Sequence, residues 1–396
     1  MDRSRSSRGL TPLAIQNVRV CPAPDLPPIP HATVLVQEGC ITAVSEDLPV
    51  PPGATVLSGD GRVVTAGFWN AHVHFTEGKW RGAGGQSGER LESQLEEMLT
   101  CHGFTTVVDT GSDPRTTLPM RARVESESLR GPRILTSGPS LFPARGIPYY
   151  LRDDLSFWLR LLVPQPSSPA AARRIAERIL ASGADLVKLF TGSYIARGTV
   201  KNMSEPVARA AVEVAHRHGK LVYSHASNLE GTRVAIRSGV DVLAHPPDST
   251  EGIDEAILHA LVDRHMSMTP TLKMFADTAS SHPTYLGPTY EVVRRFGELG
   301  GDLLFGTDVG YMHDYSTDDE FRALGRCGLD GRAILRMLTT APARRFGGGA
   351  DASTVQPGQL ADLVLLDSDP MDDPVAFARV RATIRGGRVL YLRADA

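Results

Sequence analysis

Asn70-Ala71-His72-Val73-His74-Phe75 ends an apolar run with two histidines spaced two residues apart. Side chains alternate between the two faces of a β-strand, so His72 and His74 face the same side while Val73 packs behind them. Two imidazoles on one face are a typical arrangement for holding a divalent metal ion. We therefore predict a strand here that ends in a metal site.

Four further residues of ligand type each follow a short apolar run, namely Lys188, His225, His245 and Asp308. Three segments repeat one pattern, in which a glycine closes a helix, a buried strand follows and a ligand-type residue ends it: 182–188, 238–245 and 300–308. A parallel (β/α)8 barrel collects such strand ends at one mouth, where its active site lies. The order of these residues predicts an α/β fold with a TIM-like (β/α)8 barrel that carries a metal site at its mouth.

The two ends of the chain differ from its middle in their pattern of predicted secondary structure. Short β-type runs separated by Pro- and Gly-rich turns occupy 13–64, and strand patterns return at 360–367 and 380–392. Such spacing is typical of small β domains. We predict a catalytic barrel at 66–350 and a small composite β-sandwich domain made of 1–65 and 351–396.

Composition narrows the classes of partner. The chain has 396 residues and a formal net charge of −3, which gives no basic field for binding nucleic acid. Its four cysteines are scattered without metal-type spacing, which suits a reducing compartment. No apolar run is long enough to span a bilayer. These features favour a cytoplasmic protein that acts on small molecules, and they leave a homo-oligomer open.

With the His-x-His pair, the lysine, the two later histidines and the aspartate in this order, the chain resembles the amidohydrolase superfamily of metal-dependent hydrolases. The resemblance is strongest for its imidazolonepropionase- and prolidase-like branch. Residues 66–74 are similar to the family's first-strand motif, 103–109 to its second strand and 358–364 to a strand of its small β domain. The chain departs from the family pattern at Ala66, Asn70 and Val108, where Pro, Asp and Arg are common. These departures bear on substrate choice and on the groups around the ligands.

The resemblance implies a centre with two divalent ions, of which zinc is the expected metal. His72, His74 and Asp308 would hold one ion, and His225 and His245 the other. Lys188, carboxylated by CO2, would bridge the pair, since a carbamate offers two anionic oxygens where an ammonium offers none. A hydroxide shared by the ions would attack the substrate, and Asp308 would shuttle its proton. Asp308 and Lys188 are thus the predicted catalytic residues.

This chemistry predicts a hydrolase that cleaves the C–N bond of a small amide, such as a dipeptide, an N-acyl amino acid or a cyclic amide. Two alternatives are enzymes on the same barrel: a mononuclear deaminase, which usually lacks the bridging lysine, and a lactonase or esterase. A third is a non-catalytic binding barrel. Six intact positions of ligand type disfavour the last alternative.

Two loops are predicted to overhang the barrel mouth. The loop after the third strand carries Arg145, Tyr149 and Tyr150, and the loop after the eighth carries Tyr311 and His313. An arginine and several phenols are suited to binding a carboxylate or stacking on a ring, which makes these residues candidate substrate contacts; ordinary loop roles are the alternative. Tyr223 faces the same side of its strand as His225, either as a deep pocket wall or as barrel filling.

Overall fold

The computed structural model describes residues 11–153, 156–278, 286–349 and 351–394. Elements are numbered here in chain order. The strands within these ranges are β1 (Leu13–Val20), β2 (Ile29–Gln37), β3 (Cys40–Glu46), β4 (Thr55–Ser58), β5 (Val63–Ala66), β6 (Phe68–Val73), β7 (Phe104–Asp109), β8 (Arg133–Thr136), β9 (Leu186–Phe190), β10 (Gly192–Ala196), β11 (Thr199–Asn202), β12 (Leu221–His225), β13 (Val242–Leu243), β14 (Ser267–Met268), β15 (Asp302–Leu303), β16 (Leu363–Leu366), β17 (Val380–Arg385) and β18 (Arg388–Leu392).

Helices alternate with the strands through the middle of the chain. They are α1 (Gly88–Met98), α2 (Pro114–Glu125), α3 (Tyr149–Arg152), α4 (Phe157–Leu162), α5 (Pro169–Ala181), α6 (Glu205–Arg217), α7 (Leu229–Ser238), α8 (Glu255–Asp263), α9 (Leu272–Thr278), α10 (Leu286–Glu298), α11 (Asp318–Arg326), α12 (Gly331–Leu338) and α13 (Thr340–Arg345). In the ranges described, no helix combines the length and hydropathy needed to cross a membrane.

The repeated glycines of the sequence end helices as predicted. Gly183, Gly239 and Gly300 follow α5, α7 and α10, and all three have φ between +82° and +101°. A residue with a Cβ rarely adopts this left-handed geometry, which lets the chain turn from each helix directly into a strand. The glycines thus set where β9, β13 and β15 begin, and with them the strand ends that follow.

Eight parallel strands make up the central part of the fold. Their regular ladders form two sheets, β6-β7-β8 and β9-β12-β13-β14-β15. A few backbone hydrogen bonds outside the ladders link the edges of these sheets; for example, Asp185 N donates to Thr136 O at 2.7 Å, and Ala71 N donates to Phe305 O at 2.7 Å. The TIM-barrel-like α/β arrangement is therefore present. The regularly closed barrel of the prediction is not found in the described residues, because no regular strand ladder joins β8 to β9 or β15 to β6 there.

The terminal strands form one mixed sheet rather than the two stacked sheets of a sandwich. Its order is β18-β17-β16-β5-β1-β2-β3, with β4 beside β1. β5 and β16 pair antiparallel, so strands from both ends of the chain are neighbours. A separate apolar cluster covers this sheet and includes Ile15, Val34 and Leu363. The predicted sandwich is therefore not confirmed, the domain boundaries stay a prediction, and residues 1–10 lie outside the described part.

Glu320 is a fully buried carboxylate that joins two helices. It lies in the first turn of α11, and its Oε2 accepts a hydrogen bond from the backbone N–H of Lys273 in α9 at 2.7 Å. The first N–H groups of a helix have no partner within the helix, so Glu320 caps α9 from a neighbouring element. Burial nevertheless raises the pKa of Glu320 to about 7, although this N–H contact acts in the opposite direction.

We expect Glu320 to make the protein less stable as the pH rises. A folded-state pKa above the unfolded value means that the folded state holds the proton more tightly, so stability is lost between about pH 4.5 and 7. The loss is on the order of 3 kcal/mol. Glu320→Gln keeps an oxygen acceptor and removes the titration. Urea unfolding at pH 5 and pH 8 should show a weaker pH dependence in this variant, whereas the exposed control Glu251→Gln should behave as wild type. Equal pH slopes in all three proteins would contradict the prediction.

Candidate metal centre

His72 and His74 lie where β6 ends, with their Nε2 atoms 3.3 Å apart. His72 Nδ1 donates a hydrogen bond to the carbonyl oxygen of Ala244 at 2.9 Å. A carbonyl can only accept, so the proton of the neutral ring sits on Nδ1 and the lone pair on Nε2. The structure thus places a metal-binding nitrogen of His72 toward His74.

Asp308 reaches the same point from the loop that follows β15. Its Oδ1 is 3.1 Å from His74 Nε2 and 3.4 Å from His72 Nε2, and its Oδ2 is 3.8 Å from His245 Nε2. Glycines on both sides permit this approach: a Cβ on Gly306 would lie 2.9 Å from the Cβ of His72, and one on Gly310 would lie 1.8 Å from the carbonyl oxygen of His74.

Asn70 holds this loop against β6. Its Nδ2 donates to Thr307 Oγ1 at 2.7 Å, and its Oδ1 accepts from the backbone N–H groups of Thr307 and His72. All of these atoms are buried. An amide supplies both the donor and the acceptors that these contacts need, whereas a carboxylate would lack the donor. Asn70 therefore fixes the position of Asp308 relative to the two histidines.

His225 and His245 complete the ring of imidazoles. Their ring centroids are 5.1 Å apart, and that of His245 is 4.4 Å from the ring centroid of His72. His225 stacks on Phe190, and its Nε2 is 3.0 Å from Asp248 Oδ2. A proton on Nε2 is donated to that carboxylate, which leaves Nδ1 as the nitrogen available for a ligand.

Asp248 was not among the residues predicted from the sequence. It follows His245 by three positions in His245-Pro246-Pro247-Asp248. The proximity of an aspartate to a strand-end histidine was the available signal, because loops after such strands line the same mouth. A loop position alone does not reveal which side chain an aspartate contacts, and here it is His225 from the preceding strand.

Lys188 lies within β9 and is buried. Its Nζ is 5.6 Å from the ring centroid of Phe190. Burial lowers the pKa of Lys188 to about 7, while Asp308 and Asp109 act in the opposite direction. An amine that loses its proton near neutrality is unusual for lysine and is typical of functional sites.

Burial also keeps the central histidines neutral. It lowers the pKa of His72 and of His245 well below 6.5, and the positive charge of Lys188 and neighbouring imidazoles adds to this effect. Neutral imidazole is the form that binds metals. One ligand atom from each of His72, His245 and Asp308 lies within 4.8 Å of the other two. Asp308 Oδ1 is buried and accepts no hydrogen bond from the described residues. This donor set fits a divalent cation.

Tyrosines from the two predicted loops meet near this cluster. The ring centroids of Tyr149 and Tyr150 are 5.5 Å apart, and those of Tyr150 and Tyr311 are 5.9 Å apart. Burial raises the pKa of Tyr150, and the negative charges of Asp248 and Asp308 raise it further. Three of the candidate contacts are thus brought together.

The other three candidate contacts lie elsewhere. Arg145 is exposed in a left-handed turn with φ +55°. His313 is 84% exposed and its Nδ1 lies 3.3 Å from Glu77 Oε1. Tyr223 is fully buried among apolar residues. Burial raises the pKa of its phenol, and the charges of Asp241 and Asp302 raise that pKa further. Its position favours barrel filling over the pocket wall.

Comparisons with known proteins agree on one family. Residues 63–390 match the profile of the amidohydrolase family. Uncharacterized proteins of Mycobacterium bovis and Mycobacterium tuberculosis are 27% identical over 351 residues, covering 83% of this chain and 85% of theirs.

Solved structures with the same fold cover nearly the whole chain. A Xaa-Pro dipeptidase with bound methionine has a TM-score of 0.79 at 18% identity, covering 97% of this chain and all of its own. A prolidase complexed with N-methylphosphonate-L-proline has a TM-score of 0.79 at 22% identity with the same coverage. Molinate hydrolase has a TM-score of 0.77 at 21% identity, covering 96% of this chain and 94% of its own.

Proposed function

The chain belongs to the amidohydrolase family, and we propose that it hydrolyses the amide C–N bond of a small molecule at the cluster around Asp308. The family makes the chain an amidohydrolase-type enzyme. The observation that carries the proposal is the Asp308 carboxylate, whose oxygens lie between 3.1 and 3.8 Å from three imidazole nitrogens. A buried carboxylate among imidazoles is a donor set for a divalent metal ion.

The proposed centre holds two ions, with zinc as the expected metal. His72, His74 and Asp308 would bind one ion, His225 and His245 the second, and Lys188, as a carbamate, would bridge them. Bound there, the ions would lower the pKa of water toward neutrality and polarise the substrate carbonyl. The lone pairs left free by the Ala244 and Asp248 contacts support this assignment.

Asp308 is the proposed proton carrier. Its carboxylate would accept a proton from the attacking water and deliver it to the departing nitrogen, which leaves as an amine. Asn70 and the flanking glycines restrict the position of Asp308, so little rearrangement is needed for this transfer. The adjoining rings of Tyr149, Tyr150 and Tyr311 would limit access of bulk water from the mouth.

The proposed substrates are small amides, with dipeptides first. Two relatives of the same fold are named as a prolidase and a Xaa-Pro dipeptidase, and a third as molinate hydrolase. The tyrosines of the two loops offer flat apolar faces and hydroxyl groups to such a molecule. A cyclic amide or an N-acyl amino acid fits the same chemistry.

Metal analysis and a substrate screen test the proposal together. We expect about two divalent ions per chain after metal-replete expression, the number implied by a two-metal site. The screen would contain dipeptides, N-acyl amino acids, cyclic amides, lactones and aminopurines, with products read by mass spectrometry. Turnover confined to lactones or aminopurines would replace the amide proposal. One ion or none would contradict the binuclear centre, and no turnover of any substrate would favour a binding protein.

Arg145 stays the sequence-based candidate for recognising a carboxylate on the substrate, although the structure leaves its side chain exposed. Because a guanidinium forms paired, charge-assisted hydrogen bonds with a carboxylate, Arg145→Ala should raise KM more for an acidic substrate than for its neutral amide. Steady-state kinetics on the matched pair would measure this difference. Arg264→Ala, an exposed arginine at the end of α8, is the control and should change neither KM. An equal rise for both substrates would remove Arg145 from carboxylate recognition.

A further inference from the structure

Thr271 has an unusual backbone for a residue of its type. It is fully buried, directly precedes α9, and has φ +45°. A β-branched residue in the left-handed region is an outlier, because its Cβ substituents crowd the neighbouring carbonyl oxygen. A strained backbone conformation persists only where the surrounding contacts hold it in place. Strained residues cluster at functional sites.

The side chain of Thr271 contacts a residue of the metal centre. Thr271 Oγ1 lies 2.7 Å from His245 Nδ1. The ring nitrogen opposite Nδ1 is Nε2, which faces Asp308 Oδ2 at 3.8 Å. A hydrogen bond at one nitrogen of a ligating histidine fixes the orientation of the ring, and with Nδ1–H as the donor and the hydroxyl oxygen as the acceptor it leaves Nε2 unprotonated.

Other helices of the chain show what the residue before α9 would ordinarily do. Asn228 and Asp254 precede α7 and α8 with φ of −152° and −93°, and each side chain accepts a hydrogen bond from a backbone N–H in the first turn. This is the usual capping geometry. Thr271 departs from it in both respects, since its φ is positive and its hydroxyl contacts a histidine instead.

Glu320 supplies the cap that Thr271 does not. Its Oε2 accepts from the Lys273 N–H, two residues after Thr271. The start of α9 is therefore held from α11, and the Thr271 hydroxyl is available for His245. The strained Thr271 thus lies between two contacts, the one from its hydroxyl to His245 and the one from Glu320 to the start of α9.

We propose that Thr271 is a positioning residue, whose left-handed backbone, held in place through Glu320, aims its hydroxyl at Nδ1 of His245 so that Nε2 faces the metal centre. This inference rests on the proposed function, because it assigns His245 as a ligand.

The first test compares Thr271→Val with Thr271→Ser. Valine matches the shape of threonine without the hydroxyl, and serine keeps the hydroxyl. We expect Thr271→Val to bind Zn2+ about 10- to 100-fold more weakly in a chelator competition, the range for removing a contact behind a ligand, and Thr271→Ser to bind as wild type. In 15N spectra of the metal-free protein labelled at histidine, Thr271→Val should alter the proton distribution between the two nitrogens of His245. Unchanged affinity and unchanged spectra in the valine variant would overturn the proposal.

The second test measures the strain in the metal-free protein. Glycine adopts positive φ freely and alanine does not, so Thr271→Gly should melt at a higher temperature than Thr271→Ala. At an ordinary helical position, the greater freedom of glycine in the unfolded chain would reverse this order. A higher melting temperature for the alanine variant would therefore refute the strained conformation.

A third variant separates this inference from the function on which it rests. His245→Asn removes the proposed ligand itself. If His245→Asn weakens Zn2+ binding while Thr271→Val does not, the inference about Thr271 fails and the metal centre stands. If His245→Asn binds Zn2+ as tightly as wild type, the assignment of the centre is itself wrong.

Discussion

Asp308→Asn is expected to retain the fold and much of the bound metal while kcat falls by about 10²- to 10⁴-fold, the range for removing a positioned proton carrier. Asparagine has nearly the same shape and also tolerates the left-handed backbone of this position, where φ is +59°. It retains one oxygen that can bind a cation and loses the basic carboxylate. The variant thus separates proton transfer from metal binding.

The measurement is kcat on the best substrate from the screen, together with metal content and the melting temperature. Asp302→Asn is a matched control, because Asp302 begins β15 at the end of the strand remote from the cluster and accepts a hydrogen bond from Ser267 Oγ. We expect that control to keep its kcat. Activity of Asp308→Asn within a few-fold of wild type would mean that another group carries the proton, and His313 would be tested next.

Lys188→Ala is expected to lose most of the bound metal and, with it, most of the activity. In the proposed centre Lys188 supplies both oxygens of the bridge, and no other described side chain offers an anion at that position of β9. The truncation leaves a space within the barrel, so added acetate or another short carboxylate should restore part of the metal content and part of kcat. Metal content is measured with and without the added acid.

Lys188→Met is the matched control for this experiment. Methionine fills the volume of the lysine stem without a nitrogen that could react with CO2, so the fold should survive while the metal is lost and acetate gives no rescue. If either variant binds the full complement of metal, Lys188 is not a bridge. If both unfold, circular dichroism would show it, and the stem would then be required for barrel packing.

The positions of the ligand-type residues could be predicted because they depend on local pattern. His72 and His74 share a face through the period of two in a strand, and His225, His245 and Asp308 each follow a short buried run. Parallel strands bring their carboxyl ends together whatever their order, so knowledge of the exact pairing is not needed. In the structure each of these five side chains lies next to at least one other, in one connected cluster, while their roles as ligands stay a prediction.

The supporting residues could not be predicted, because their contacts join distant parts of the chain. Asn70 meets Thr307, and Glu320 caps a helix that begins 48 positions earlier at Leu272. Nothing in the local sequence of either partner indicates the other. The local sequence also does not determine where a loop side chain points. The prediction for Arg145 rests on its chemistry alone, and the structure leaves this side chain exposed.

The pairing of β5 with β16 has a consequence for the order in which the chain folds. β5 is synthesised early and β16 only after the whole central part of the chain, so the terminal sheet cannot be completed until residues 363–392 are available. During that interval β5 presents an unpaired edge, a template on which other nascent chains can aggregate. Pairings so remote in sequence also form slowly. Until this sheet is assembled, the edge of β5 is a site at which binding by a chaperone would prevent aggregation.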